Sequence, residues 1–220
     1  MAKVKTQFVC QNCGYISPRY LGRCPNCNEW NTLVEETVAP TVKASTTTLR
    51  ATAGGRSVKP EPLDKVSFQS EPRFKTGMEE LNRVLGGGVV PGALILIGGD
   101  PGIGKSTLML QVSGQLSKTG KILYISGEES ASQIKMRAER LDVDSSQLYV
   151  FPETDMNVIK ATINDMKPDA VIIDSVQTMQ IPELQSATGS VAQIREVTAD
   201  LMNIAKGQGI TIFVVGHVTK

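Results

Sequence analysis

The chain of 220 residues is 40% apolar and 20% charged, enough to bury the core of one medium α/β domain beside a small second module; a disordered or fibrous protein is excluded. Its net charge of +1 argues against a strong overall attraction to nucleic acid, although residues 1–76 hold 11 Lys and Arg against 6 Asp and Glu while residues 77–220 hold 12 against 16. The longest apolar run, 93–97, is far too short for a membrane span, and residues 1–11 lack the apolar stretch of a signal peptide. A cytoplasmic protein without membrane contact is expected, and in that compartment a compact set of four cysteines holds metal more readily than disulfides.

In chain order, residues 8–34 come first, with all four cysteines, the only tryptophan and too few large apolar residues for an oily core. Cys10 and Cys13 are two residues apart, as are Cys24 and Cys27, and ten residues separate the pairs. That spacing lets each pair aim both sulfurs at one ion, and two pairs complete a tetrahedron around Zn²⁺. Four protein ligands leave no position for water, so residues 1–34 read as a zinc ribbon with a structural ion. Arg19, Tyr20, Arg23 and Trp30 either present a face for stacking and phosphate contact or, in the simpler case of Tyr20 and Trp30, cover the metal. Residues 35–62 shift to Thr, Ala, Ser, Val, Pro and Gly without periodicity and read as a flexible tether.

The remainder, 63–220, alternates short apolar runs with amphipathic segments. Strands are expected at 93–98, 121–126, 148–151, 170–174 and 210–216, and helices at 105–118, 131–141, 155–166 and 190–207. Continuous apolar runs suit a mainly parallel sheet covered on both faces, an α/β fold. Ser130 with Gln133 has the spacing of a capping box for the second helix.

Gly99, Asp100, Pro101, Gly102, Ile103, Gly104, Lys105 and Ser106 match the P-loop pattern in full, between an expected strand and an expected helix. Such a loop turns backbone N–H groups inward around phosphates, its lysine reaches the β and γ phosphates, and its hydroxyl ligates Mg²⁺. Asp174 closes the apolar run 170–174 and is the candidate acidic partner of that Mg²⁺. Glu128 and Glu129 follow the strand ending at Ser126, and either could orient the water that attacks the γ-phosphate, with Glu128 preferred; both could also be solvated residues at a helix start. His217, the only histidine, follows the expected strand 210–216 and so lies at the same sheet edge.

Three stretches together, Thr76-Gly77-Met78-Glu79-Glu80-Leu81-Asn82-Arg83-Val84-Leu85-Gly86-Gly87-Gly88, the P-loop continued through Thr107, and Ser126-Gly127-Glu128-Glu129-Ser130, resemble the RadA (Sms) family of bacterial DNA repair and recombination proteins. The segment Cys24-Pro25-Asn26-Cys27-Asn28-Glu29-Trp30-Asn31-Thr32 carries the same resemblance, which spans essentially the whole chain. It implies a RecA-like ATPase that forms a ring, a homo-hexamer, binds single-stranded DNA, and extends strand exchange begun by RecA through helicase-like processing of recombination intermediates. It also implies that Glu128 activates water, that Thr107 belongs to the nucleotide site, that His217 senses the γ-phosphate, and that residues 176–190 face DNA, although that stretch has no Lys or Arg.

Members of the family continue well beyond the position of Lys220, so the core reads as truncated at its C-terminal end, with a sheet edge open to association. Two other readings compete: a KaiC-like ATPase switch acting on protein partners, and a zinc-dependent adaptor without turnover.

Overall fold

The structure, a computed structural model, describes residues 5–38, 62–65, 73–143, 146–184 and 186–217. Most of the expected tether, residues 39–61, lies outside the described residues, as do Val218, Thr219 and Lys220.

Strand β1 (Lys5–Cys10) pairs antiparallel with β2 (Ile16–Ser17) on one side and β3 (Leu33–Val38) on the other. The third strand runs four residues past the end expected for the module, because Glu35 and Glu36 continue the pairing with Phe8 and Gln7. Among the described residues Cys10, Cys24 and Leu33 form the buried cluster of this sheet, with Phe8, Leu21, Cys13 and Cys27 packed against it. Two of those three core residues are cysteines, so a bound ion has to supply what apolar packing does not.

The second sheet has five parallel strands, β4 (Leu94–Gly99), β5 (Ile122–Ser126), β6 (Leu148–Phe151), β7 (Ala170–Asp174) and β8 (Thr211–His217), in the order β4-β8-β7-β5-β6. Helix α1 (Glu79–Val84) precedes β4, and α2 (Lys105–Leu116), α3 (Ala131–Arg140), α4 (Met156–Met166) and α5 (Val191–Gln208) lie along the chain between the strands. Side chains alternate between the two faces, as the pleat requires. Leu123, Ile125, Val171, Ile173, Ile212 and Val214 pack with Ile159 and Ile163 of α4 and Val197 and Leu201 of α5. Ile122, Tyr124, Ala170, Ile172, Phe213 and Val215 pack with Met109, Leu110 and Val112 of α2 and Ile134 of α3. Strands β5 and β7 are buried at every position, which explains why their sequences read as unbroken apolar runs.

Strand β4 lies at one edge of the sheet and leaves Leu96 69% exposed. The helix starts follow local capping chemistry: Ser130 and Gln133 form the reciprocal box expected of them, Asp155 caps α4, and Ser190 caps α5. Helix α2, like the short α1, has no side-chain cap, and Gly104 precedes it. Its first N–H groups are therefore left for something other than its own chain. Among the described residues no helix is long and apolar enough to cross a membrane.

Candidate functional site

In the small sheet, the sulfurs of Cys10, Cys13, Cys24 and Cys27 all lie within 4.8 Å of one another. Cys10 and Cys27 are 3.6 Å apart and Cys13 and Cys24 3.5 Å, close to the edge of about 3.8 Å for a tetrahedron with metal–sulfur bonds of about 2.3 Å. Each knuckle is closed by its own backbone: Gly14 N–H donates to the Cys10 carbonyl and Asn28 N–H to the Cys24 carbonyl, both at 2.8 Å. Both turns need a left-handed residue, with φ of 74° at Gly14 and 62° at Asn28, residue types that tolerate it.

The four thiols are electrostatically unequal. Burial would raise Cys10, but the Thr32 hydroxyl and the backbone N–H groups of Cys13 and Asn12 hold it down to about 6. Cys27 is lowered by the backbone at Glu29, yet burial and the three neighbouring sulfurs push it up to about 11. Four crowded thiolates repel one another unless a cation sits between them, so the donor set fits a structural metal ion held by a closed shell. Trp30 is 67% exposed and Tyr20 52%, so neither covers the centre; Phe8, Leu21 and Leu33 do. The Arg23 guanidinium lies 5.8 Å over the Trp30 ring, and Phe8 meets Tyr20 edge-on.

In the large sheet the ends of four strands converge. Gly99 of β4 stands opposite His217 of β8, and Ser126 of β5 opposite Asp174 of β7. The loop after β4 turns through Gly102 and Gly104 at φ of 79° and 95°, which requires glycine at both. It delivers Lys105 and Ser106 to the first turn of α2.

The Lys105 side chain is folded back under the loop, where Nζ donates to the carbonyls of Gly99 and Asp100 at 2.8 Å each. Its third contact, at 3.2 Å, is His217 Nδ1. An ammonium can only donate, so Nδ1 accepts, and in the neutral ring the proton sits on Nε2. That nitrogen faces Glu128 Oε1 at 3.6 Å. Glu128 Oε1 in turn accepts from the Ser175 hydroxyl at 2.7 Å.

Ser106 Oγ donates to Asp174 Oδ1 at 3.0 Å, and the Tyr124 hydroxyl donates to Asp174 Oδ2 at 2.6 Å. A serine hydroxyl and a carboxylate held side by side are hard oxygen donors of the kind that suit Mg²⁺. Glu129 differs from its neighbour. Its carboxylate pairs with Arg137 at 2.7 Å, with only 13% of the arginine side chain and 35% of its own exposed.

The structure thus brings Lys105, Ser106, Asp174, Glu128 and His217 together and leaves Glu129 engaged on α3. Residues Ile103 and Thr107 do not enter that hydrogen-bonded group, and Ile103 stands 63% exposed at the loop tip. Sequence reasoning missed Tyr124, Ser175 and Arg137: the first reads as a core aromatic, the second meets Glu128 from 47 residues away, and the third reads as an ordinary charge on a helix. The segment after β7 begins with a 3-10 turn (Val176–Thr178) and is braced by Gln193 of α5, which bonds the backbone of Ile181, Leu184 and Ser186.

Comparison with known proteins agrees with this anatomy. Residues 8–35 match the family described as rubredoxin metal binding domain. The chain is 55% identical over 221 residues to the DNA repair protein RadA of Halalkalibacterium halodurans, 56% identical over 220 residues to that of Streptococcus pyogenes serotype M1, and 54% identical over 225 residues to that of Bacillus subtilis. Each match covers 100% of this chain and 48% of the relative, so the chain spans about half the length of the curated relatives it matches. Residues 59–220 match the AAA domain family, to which the chain belongs, and over its full length it is similar to the RadA DNA repair proteins.

Proposed function

We propose that the core binds ATP with Mg²⁺ and hydrolyses its γ-phosphate, acting as a ring-forming, DNA-stimulated motor in the processing of recombination intermediates. The observation that carries this reading is the hydrogen bond from Ser106 to Asp174 directly beside the folded-back Lys105. It joins two segments far apart in the chain at the uncapped start of α2, where phosphate binding is favoured by free N–H groups and the helix dipole.

In this reading residues 99–107 cradle the phosphates and Lys105 turns from the loop carbonyls to the β and γ oxygens. Ser106 and Asp174 hold the Mg²⁺, which supplies charge neutralisation on those oxygens. Glu128 orients the attacking water, since it is the glutamate of the pair not committed to an arginine. His217 reports the γ-phosphate: a phosphate that draws Lys105 away removes the donor to Nδ1 and loosens the contact with Glu128. Glu129 supports the site through its ion pair with Arg137 of α3. In the ribbon the ion is Zn²⁺, favoured by four sulfur donors and no open position.

The RadA relatives are DNA repair proteins by name, and on that similarity rest the remaining parts: single-stranded DNA as ligand, RecA as partner, a homo-hexameric ring and a cytoplasmic location. The test is the rate of ATP hydrolysis with and without single-stranded DNA, beside Lys105→Ala. Stimulation by DNA that the substitution abolishes supports the motor. Hydrolysis indifferent to DNA supports a switch acting on proteins, and ATP binding without turnover supports an adaptor.

A further inference from the structure

Between the nucleotide site and the core lies a polar contact that sheet packing does not need. Tyr124 sits on β5 with no measurable exposure, among Met109, Leu110 and Ile134, where a phenylalanine would fill the same space. Its hydroxyl is nevertheless 2.6 Å from Asp174 Oδ2, on the neighbouring strand β7. Asp174 is itself only 6% exposed, and its other oxygen takes the Ser106 proton. A buried carboxylate with one oxygen tied and the other facing an apolar wall would be free to rotate about its last bond and would leave a polar atom unpaired.

We infer that Tyr124 is a positioning residue for the Mg²⁺ site: its hydroxyl fixes the plane of the Asp174 carboxylate, so that Oδ1 stays aligned with Ser106. This rests on the ATPase reading above. Geometry supports it: the bond is short and charge-assisted, the stronger kind of hydrogen bond, and it joins two buried groups on neighbouring strands. Partners standing behind a metal-binding group in this way typically set affinity by about 10- to 100-fold.

The experiment compares the full chain with Tyr124→Phe, which keeps the ring and its packing. A fluorescent ATP analogue is titrated at fixed free Mg²⁺ concentrations and again in EDTA, with thermal melts of both proteins. The expected result is a Mg²⁺ half-saturation at least about tenfold higher in Tyr124→Phe, with metal-free nucleotide affinity within about twofold of the parent. Equal Mg²⁺ half-saturation in the two proteins overturns the inference and leaves the ATPase reading intact. So does a loss of affinity that is the same in EDTA as in Mg²⁺, since a merely structural role would weaken both arms alike. If the parent binds the analogue no better than Lys105→Ala does, the ATPase reading itself fails, and the inference with it.

Discussion

Gln193 offers a quantitative test of how the segment after β7 is held. Its side chain is 2% exposed, and its carbonyl accepts from Ile181 N–H at 2.9 Å while its amide group reaches the carbonyls of Ile181, Leu184 and Ser186 at 3.3, 3.4 and 3.1 Å. Gln193→Met keeps the volume and removes every one of these contacts. The Ile181 N–H and the Ser186 carbonyl lose a partner in a place water reaches poorly, at about 1–3 kcal/mol for each group left unpaired. The carbonyls of Ile181 and Leu184 are half-buried and can be rehydrated. The substitution should therefore cost about 2–6 kcal/mol, or be partly relieved by release of Ile181, Leu184 and Ser186 from the core. Equilibrium unfolding in urea measures the first, and limited proteolysis at this segment the second. A stability loss under about 0.5 kcal/mol with unchanged proteolysis would refute the reasoning, because the bonds could then not be what secures the loop.

Other outcomes follow from the same geometry. Glu128→Gln should bind ATP but lose at least about 100-fold in hydrolysis, as removal of a group that orients water does; turnover within threefold of the parent would remove Glu128 from that role. Glu129→Gln breaks a half-buried ion pair and should lower unfolding stability by about 1–2 kcal/mol, discounted for its partial exposure, with a smaller loss of turnover than Glu128→Gln. Modification of the ribbon thiols by a mercurial, followed with a zinc-binding dye, should release one Zn²⁺ per chain and abolish the ribbon's ordered amide signals; release of none would contradict the closed four-sulfur site. Leu96→Lys should reduce any self-association seen by sedimentation, because it places a charge on the exposed edge strand; an unchanged association constant would point to another surface.

What was legible in the sequence was local. A P-loop is a contiguous device in which strand, turn and helix start follow one another, so residues 99–106 could be read without knowing the sheet order. Strands covered on both faces declare themselves as apolar runs, and β5 to β8 fall within a residue or so of their expected bounds. Helix α1 gave no such sign: it has six residues, none of them buried, and starts at Met78 without a side-chain cap. It is held by a contact no periodicity registers, Asn82 Oδ1 accepting from the Thr76 N–H and hydroxyl. Tyr124 was hidden for the opposite reason. In an apolar run it counts as core, and it is core; only the neighbouring strand reveals that its hydroxyl has a partner. The difference between Glu128 and Glu129 was likewise invisible, since it depends on Ser175 and on Arg137 two turns along α3.

The position of β8 explains why these contacts meet at one place. It is the last of the five strands in the chain, yet it inserts between β4, which carries the loop, and β7, which carries Asp174. Were β4 and β7 direct neighbours, their ends would lie about 4.8 Å apart, too close to seat the first turn of a helix between a phosphate and a carboxylate. One interposed strand doubles that spacing to about 9.6 Å, and Lys105 and Ser106 occupy the space above it. The same insertion carries His217 to the middle, within reach of Lys105 on one side and Glu128 on the other. Lys105 and Asp174 thus acquire their separation only when β8 has docked, and the contacts of His217 form in the same step.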